Sequence, residues 1–245
     1  MSAPRFIHLR LHSEYSITDG AVRLDTGKNH ECPPVRRAAE YGMPALALTD
    51  LSNMFGALKF YNAARHSGVK PLLGSDVYIS NTTDPERPGR LLLLCRSNKG
   101  YHQLCELLSR ASLTPRSRGR AEISREMLRE VGTDGLIALS GTEASDVGEA
   151  LVQENIEHAR SRASEWAALF PGAFYLEIQR ASSLHTLGDA RQEGHERQER
   201  LVAATAELAA ELDLPLVATH PIQFMDREDF TAHEVRVCIA DGLML

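Results

Sequence analysis

The 245-residue chain has no run of about 20 apolar residues, the length needed to span the hydrocarbon core of a bilayer. Nor does its N-terminus, Met1 to Arg10, hold an apolar stretch of signal-peptide length. Both absences point to a cytoplasmic protein with no membrane partner. The four cysteines, Cys32, Cys95, Cys105 and Cys238, form no CxxC pair, and two lie in apolar runs where a reduced thiol packs as a small hydrophobe. A reducing compartment fits this usage. Basic charge is not in excess either: 27 Lys and Arg stand against 33 Asp and Glu, so no broad basic face for neutralising phosphates is expected. If DNA is involved, another segment should hold it. Internal repeats and low-complexity tracts are missing as well.

What is present is apolar content of 43%, enough to close one large core, which favours a single domain over residues 1–245. Apolar runs of strand length fall at Phe6 to Leu11, Ala45 to Leu48, Pro71 to Ile79, Leu91 to Cys95, Leu136 to Leu139, Ala173 to Ile178 and Pro215 to Ala218. Helical periodicity occupies Val35 to Tyr41, Ala57 to His66, Tyr101 to Ser112, Ser124 to Val131, Asp146 to Leu169 and Glu196 to Leu212. Gly42 and Gly68 stand where helices end, each closely followed by Pro and the next apolar run, so helix-to-strand turns are short. Strands this apolar are expected to be covered on both faces, which favours parallel pairing with outer helices. Polar residues collect after nearly every strand: His12 and Ser13, Thr49 and Asp50, Ser140 to Thr142, Glu177 and Gln179, Thr219 and His220. Such spreading favours a barrel over an open sheet with a single switch point. Asn81 to Pro88 and Thr114 to Arg120 are read as surface loops. The apolar end of the chain, Phe230 to Leu245, is expected to be helical and to be continued in a longer protein.

The chemistry-bearing segments are His8-Leu9-Arg10-Leu11-His12-Ser13-Glu14-Tyr15-Ser16 with Asp19-Gly20, then Leu46-Ala47-Leu48-Thr49-Asp50, Asn53-Met54-Phe55-Gly56 and Lys70-Pro71-Leu72-Leu73-Gly74. Leu136 to Gly141, Tyr175-Leu176-Glu177 and Leu216 to Thr219 follow in order. In combination, from about Phe6 to Gly242, they closely resemble the PHP (polymerase and histidinol phosphatase) domain that opens alpha subunits of the bacterial DNA polymerase III family. The resemblance implies a distorted (β/α)7 barrel. In active phosphoesterases of the family, nine His, Asp, Glu and Cys positions hold up to three divalent metals. Clustered metals lower the pKa of a bound water and polarise a phosphate.

Position by position, the resemblance implies that most of those ligands are lost. His12 and Asp19 are kept, and Asp76 stands for the usual Glu. Arg10, Leu51, Arg90, Thr142, Pro221 and Gln223 occupy the other six of the nine positions. Leu and Pro offer no side-chain ligand, and a protonated Arg puts a cation where a metal would sit. No cofactor is required on this view, although His12, Asp19 and Asp76 could hold one divalent ion, Mg, Mn or Zn, weakly. Arg10 or Arg90 is expected to stand in for a metal by pairing with Asp19 or Asp76.

The resemblance therefore implies a catalytically inactive module of a DNA-directed DNA polymerase. Its implied partners are the rest of the alpha chain and the proofreading exonuclease (epsilon) subunit, with DNA reached through the parent polymerase. The rival is an active metal-dependent phosphoesterase, either a 3′-5′ exonuclease or a histidinol-phosphatase-like enzyme, against which the lost ligands speak. Asp50 is expected to cap the helix starting near Asn53, His220 to be structural, Glu193 to Arg200 to be a solvated helix face, and Arg116, Arg118 and Arg120 to be exposed. Arg23 to Pro34 is longer than the polymerase pattern leads one to expect before the first helix.

Overall fold

A computed structural model describes residues 6–25, 31–82, 84–114, 119–180 and 189–242. Its elements, in chain order, are β1 (Arg10–Leu11), α1 (Pro33–Glu40), β2 (Ala45–Leu48), α2 (Ala57–His66), β3 (Lys70–Ile79), β4 (Gly89–Cys95), α3 (Asn98–Leu113), β5 (Glu122–Ile123), α4 (Arg125–Val131), β6 (Leu136–Leu139), α5 (Asp146–Val152), α6 (Ile156–Leu169), β7 (Phe174–Gln179), α7 (Asp189–Glu211), β8 (Leu216–Thr219), β9 (Pro221–Ile222) and α8 (Phe230–Asp241). The chain divides into two compact units: residues 1–76 with 221–245, and residues 77–220.

In the first unit the local chemistry sets the boundaries. Pro33 and Pro34 open α1, where a missing N–H costs nothing and the fixed φ is already helical. Gly42 and Gly68 take φ of 64° and 71° just past α1 and α2, the left-handed turn that sends the chain directly into β2 and β3. β2 and the first half of β3 pair in parallel, Ala45 beside Lys70 through Leu48 beside Leu73. β1 pairs in parallel with β9, Arg10 beside Pro221 and Leu11 beside Ile222. Leu11, Val22, Leu24, Val35, Leu46, Leu48 and Phe60 form a dry core. The first strand is shorter than its apolar run: only Arg10–Leu11 forms a strand, although the His8 carbonyl accepts from Ala47 N–H at 3.0 Å.

In the second unit Leu91 to Leu94 of β4 are buried, as a strand covered on both faces requires. β6 with β7 and β7 with β8 are parallel, and the end of β3 pairs in parallel with β5. The all-parallel pattern is broken at β4, which runs antiparallel to β6, Leu92 beside Leu139 and Cys95 beside Leu136. An apolar run reports burial and not direction, so the sequence could not distinguish the two. The expected single helix from Asp146 to Leu169 is two, because Glu154 turns to φ 56° and the Asn155 side chain caps α6 through the His158 N–H. Glu193 to Arg200 are exposed or half-buried on α7, as a solvated face should be. Arg116 and Arg118, and part of Arg23 to Pro34, lie outside the described residues.

Candidate functional site

A polar cluster gathers in the first unit where β1 and β2 end, against Asp76 of β3. After β1 the chain turns through a short 3-10 segment, Glu14–Ser16, and returns along Asp19 and Gly20. Gly20 is needed there, since a Cβ would fall 2.1 Å from the Ser13 carbonyl oxygen. This return brings Asp19 to His12, with Nδ1 and Oδ1 2.9 Å apart. On the other side of the ring, His12 Nε2 lies 3.3 Å from Asp76 Oδ2. The same oxygen accepts a hydrogen bond from Arg10 Nη1 at 2.5 Å. Arg10, His12 and Asp76 are all buried, and Asp19 is half-buried. The arginine pairing expected from the sequence is thus present as Arg10 with Asp76.

Three of the positions read as substituted ligands, Leu51, Pro221 and Gln223, meet the strands and loops of the first unit through backbone. Leu51 bridges Asp76 in parallel, and the Ser52 N–H donates to the Asp76 carbonyl at 2.7 Å. The Gln223 carbonyl accepts from Ala21 N–H at 2.7 Å, and Pro221 sits in register with Arg10. Arg90 and Thr142 belong to the second unit. There the Arg90 guanidinium lies over the Tyr78 ring at 5.1 Å, and the Thr142 carbonyl accepts the Ser145 hydroxyl at 2.7 Å.

Asp50 departs from the capping role expected of it. α2 begins at Ala57 after Gly56 with no side-chain cap. The Asp50 carboxylate, 1% exposed, instead accepts Ser13 N–H at 2.6 Å, Ser13 Oγ at 2.8 Å and Ser16 Oγ at 2.8 Å, tying the β1 loop to the end of β2. Sequence spacing pointed to a cap because Asp before a helix usually is one. The Ser13 and Ser16 hydroxyls were the signal for the alternative. In the second unit Glu177 plays a similar part, accepting Gly141 N–H at 3.1 Å, Gln179 Nε2 at 3.0 Å and the Thr219 hydroxyl.

The electrostatics of His12 follow from these contacts. Burial acts to lower its pKa, but the hydrogen bonds and charges of Asp19 and Asp76 outweigh that and raise it to about 9. The ring is therefore an imidazolium at neutral pH, with both nitrogens committed to carboxylates. Asp50 is pushed above the usual carboxylate range by burial, which the serine hydrogen bonds and the nearby His12 only partly offset.

This arrangement does not fit the metal ions of active PHP enzymes. The Asp76 oxygen that would face an ion already accepts from Arg10 and lies against His12, and both nitrogens of His12 face carboxylates. Among the described residues, no group of three or more His, Cys, Asp and Glu is arranged to hold a metal. What the cluster can do is bind the ends of β1 and β2 to β3 by charge-assisted hydrogen bonds. No described helix is long and apolar enough to cross a membrane.

Comparison with known proteins places this geometry in a family. The PHP domain family model matches residues 8–181. Over its whole length the chain is 44% identical to the DNA polymerase III subunit alpha of Neisseria meningitidis serogroup A and 37% identical to that of Escherichia coli, covering 20% and 19% of them respectively. It thus spans about a fifth of the length of the curated relatives it matches. Among solved structures, an amidohydrolase from Chromobacterium violaceum matches with a TM-score of 0.47 and 16% identity, over 94% of this chain and 96% of that one. The fold class is the distorted TIM-like α/β class of the PHP family. The chain belongs to the PHP domain family, in the form carried by DNA polymerase III alpha subunits.

Proposed function

We propose that this chain acts as a structural module of a bacterial replicative DNA polymerase and does not itself catalyse phosphoester hydrolysis. The observation that carries this is the buried Arg10 to Asp76 ion pair at 2.5 Å, a cation of the chain's own standing against a carboxylate that the family uses for metal. His12 lies between Asp19 and Asp76, so both of its nitrogens already face carboxylates of the chain. An active PHP centre must instead present unprotonated imidazoles and unpaired carboxylates to activate water. The parent activity is DNA-directed DNA synthesis in the cytoplasm. The module's partners are the rest of the alpha chain and the proofreading exonuclease (epsilon) subunit, with DNA reached through the polymerase body.

The test is release of phosphate from p-nitrophenyl phosphate, and of nucleotides from a 3′-end-labelled oligonucleotide, by the purified chain with Mn²⁺ or Zn²⁺. Turnover indistinguishable from buffer is expected. Turnover that rises with metal and is lost in Asp76→Asn would instead establish a metal-dependent phosphoesterase.

A further inference from the structure

The second unit contains a cleft of about 820 Å³ bordered by the end of β3, the loop that follows it, the start of β4, Arg120 before β5, and the first turns of α4 and α5. Six arginines and five carboxylates line it. Most of these charges cancel in pairs. Arg87 is 3.9 Å from Asp84, Arg162 is 3.0 Å from Glu165, Arg197 is 3.1 Å from Glu143, and Arg125 is paired with Asp146. Arg120 differs. Its guanidinium lies over the Tyr78 ring at 5.8 Å, on which Arg90 also stacks, and its Nη2 donates to the Glu86 backbone carbonyl at 3.1 Å. Among the described residues it makes no ion pair with a carboxylate.

A second observation falls on the same lining. Arg120 Nε, Arg125 Nε and the Ser80 hydroxyl are buried without a hydrogen-bond partner, although Arg125 Nε lies 3.9 Å from a Glu165 carboxylate oxygen and its guanidinium stacks on Trp166. Native proteins leave few such groups, and each needs a reason. The three belong to three separate segments, and all three residues border one cleft. The atoms themselves are shut off from bulk water, so an occupant reaches them when the guanidinium turns, a small motion for a long side chain.

We infer that the part of this cleft at Ser80 and Arg120 binds a small phosphate-type anion. Arginine donors in a planar fork match phosphate oxygens, and an anion with several oxygens can meet donors arriving from different segments. The carboxylates elsewhere in the lining select against an extended polyanion, which would gain at Arg120 and lose at Asp84, Glu86 and Glu149. A single compact anion avoids them. Inorganic phosphate and the phosphate of a nucleotide share this chemistry, and the cleft has the volume of a small-molecule pocket, larger than bare phosphate needs. The inference does not rest on the polymerase reading, and its failure would leave that reading standing.

The experiment is isothermal titration of the 245-residue chain with inorganic phosphate, dTMP and thymidine at matched ionic strength, with chloride as the blank. Saturable binding of phosphate or dTMP at one site per chain is expected, weakened about tenfold or more in Arg120→Gln and in Ser80→Ala and unchanged in Arg36→Gln, an exposed position of the first unit that does not line the cleft. Equal affinities for phosphate and dTMP would identify the free anion; tighter dTMP with silent thymidine would identify a nucleotide. Should Arg120→Gln fail to fold, judged by its thermal melt, Ser80→Ala decides. No saturable binding of either anion, or binding that both variants leave intact, overturns the inference. So does binding confined to single-stranded DNA.

Discussion

Arg10 and Asp76 are 66 residues apart in sequence and share one buried ion pair. Removing one member of such a pair leaves the other charge in a poor solvent, so Arg10→Ala should destabilise the chain by about 3 kcal/mol. A urea melt of the variant checks this, and an unchanged midpoint would mean that His12 alone suffices to balance Asp76. His12 sets a pH dependence whose sign is fixed by the direction of its shift. Its folded pKa of about 9 lies above the ordinary 6.5, so the folded state holds the proton more tightly. The resulting stability is fully present below about pH 6.5 and is lost as pH rises through 9, on the order of 3 kcal/mol in all. Denaturation measured at pH 6 and pH 9.5 should show the fall, and His12→Asn should flatten it. Asp50 is also shifted upward, so it too favours protonation in the folded state, but its window begins at the ordinary carboxylate pKa and lies on the acid side. Of these residues, His12, Asp19, Asp76 and Arg10 were legible only through the resemblance to the PHP family, which assigns them to ligand positions. The sequence left Asp50 misassigned, because a carboxylate beside a turn has two uses and only the position of Ser13 and Ser16 selects between them.

Among the elements, the turns at Gly42 and Gly68 are where sequence and structure agree, while the serine caps of α3, α4 and α5 emerge from the structure. Ser97, Ser124 and Ser145 each accept a backbone N–H at the start of α3, α4 and α5, as local chemistry alone requires. Glycines are less uniform. Gly100, in the first turn of α3, lies so close to the backbone of Gly135 that a Cβ would fall 1.8 Å from its carbonyl oxygen. Gly194, within α7, has nothing within 4 Å of the same point. Gly100→Ala should therefore cost about 3 kcal/mol by overpacking, while Gly194→Ala should stabilise by about 0.5–1 kcal/mol through helix propensity. Thermal melts of the two variants, run side by side, test the contrast. The break between α5 and α6 escaped the periodicity because Gln153 and Glu154 are polar residues common on a helix surface; the positive φ at Glu154 is a local event with no composition signature.

For the whole molecule the question is whether the metal chemistry of the family survives. Elemental analysis of protein purified without chelators is expected to find no bound divalent metal, since both nitrogens of His12 face carboxylates and Asp76 already accepts from Arg10. The positions lost by substitution suggest a route back. Arg10→His with Leu51→His returns two neutral imidazoles and removes the competing guanidinium. Zn²⁺ binding by the double variant, measured by equilibrium dialysis, should exceed that of the parent by roughly tenfold or more. Equal binding would mean that the remaining substitutions, Pro221 and Gln223 among them, decide the matter.

By itself the sequence determined the α/β class, the positions of most helices and buried strands, and the left-handed turns at Gly42 and Gly68. These are local properties: apolar period, cap chemistry and residue identity are all written within a few positions of each other. Only the tertiary structure decided that β4 and β6 run antiparallel, that Asp50 gathers serines from a distant loop, and that Arg10 reaches Asp76. Strand direction and side-chain partnership depend on which distant segments are brought within about 3 Å of each other, a distance set by packing and not by neighbours in the chain.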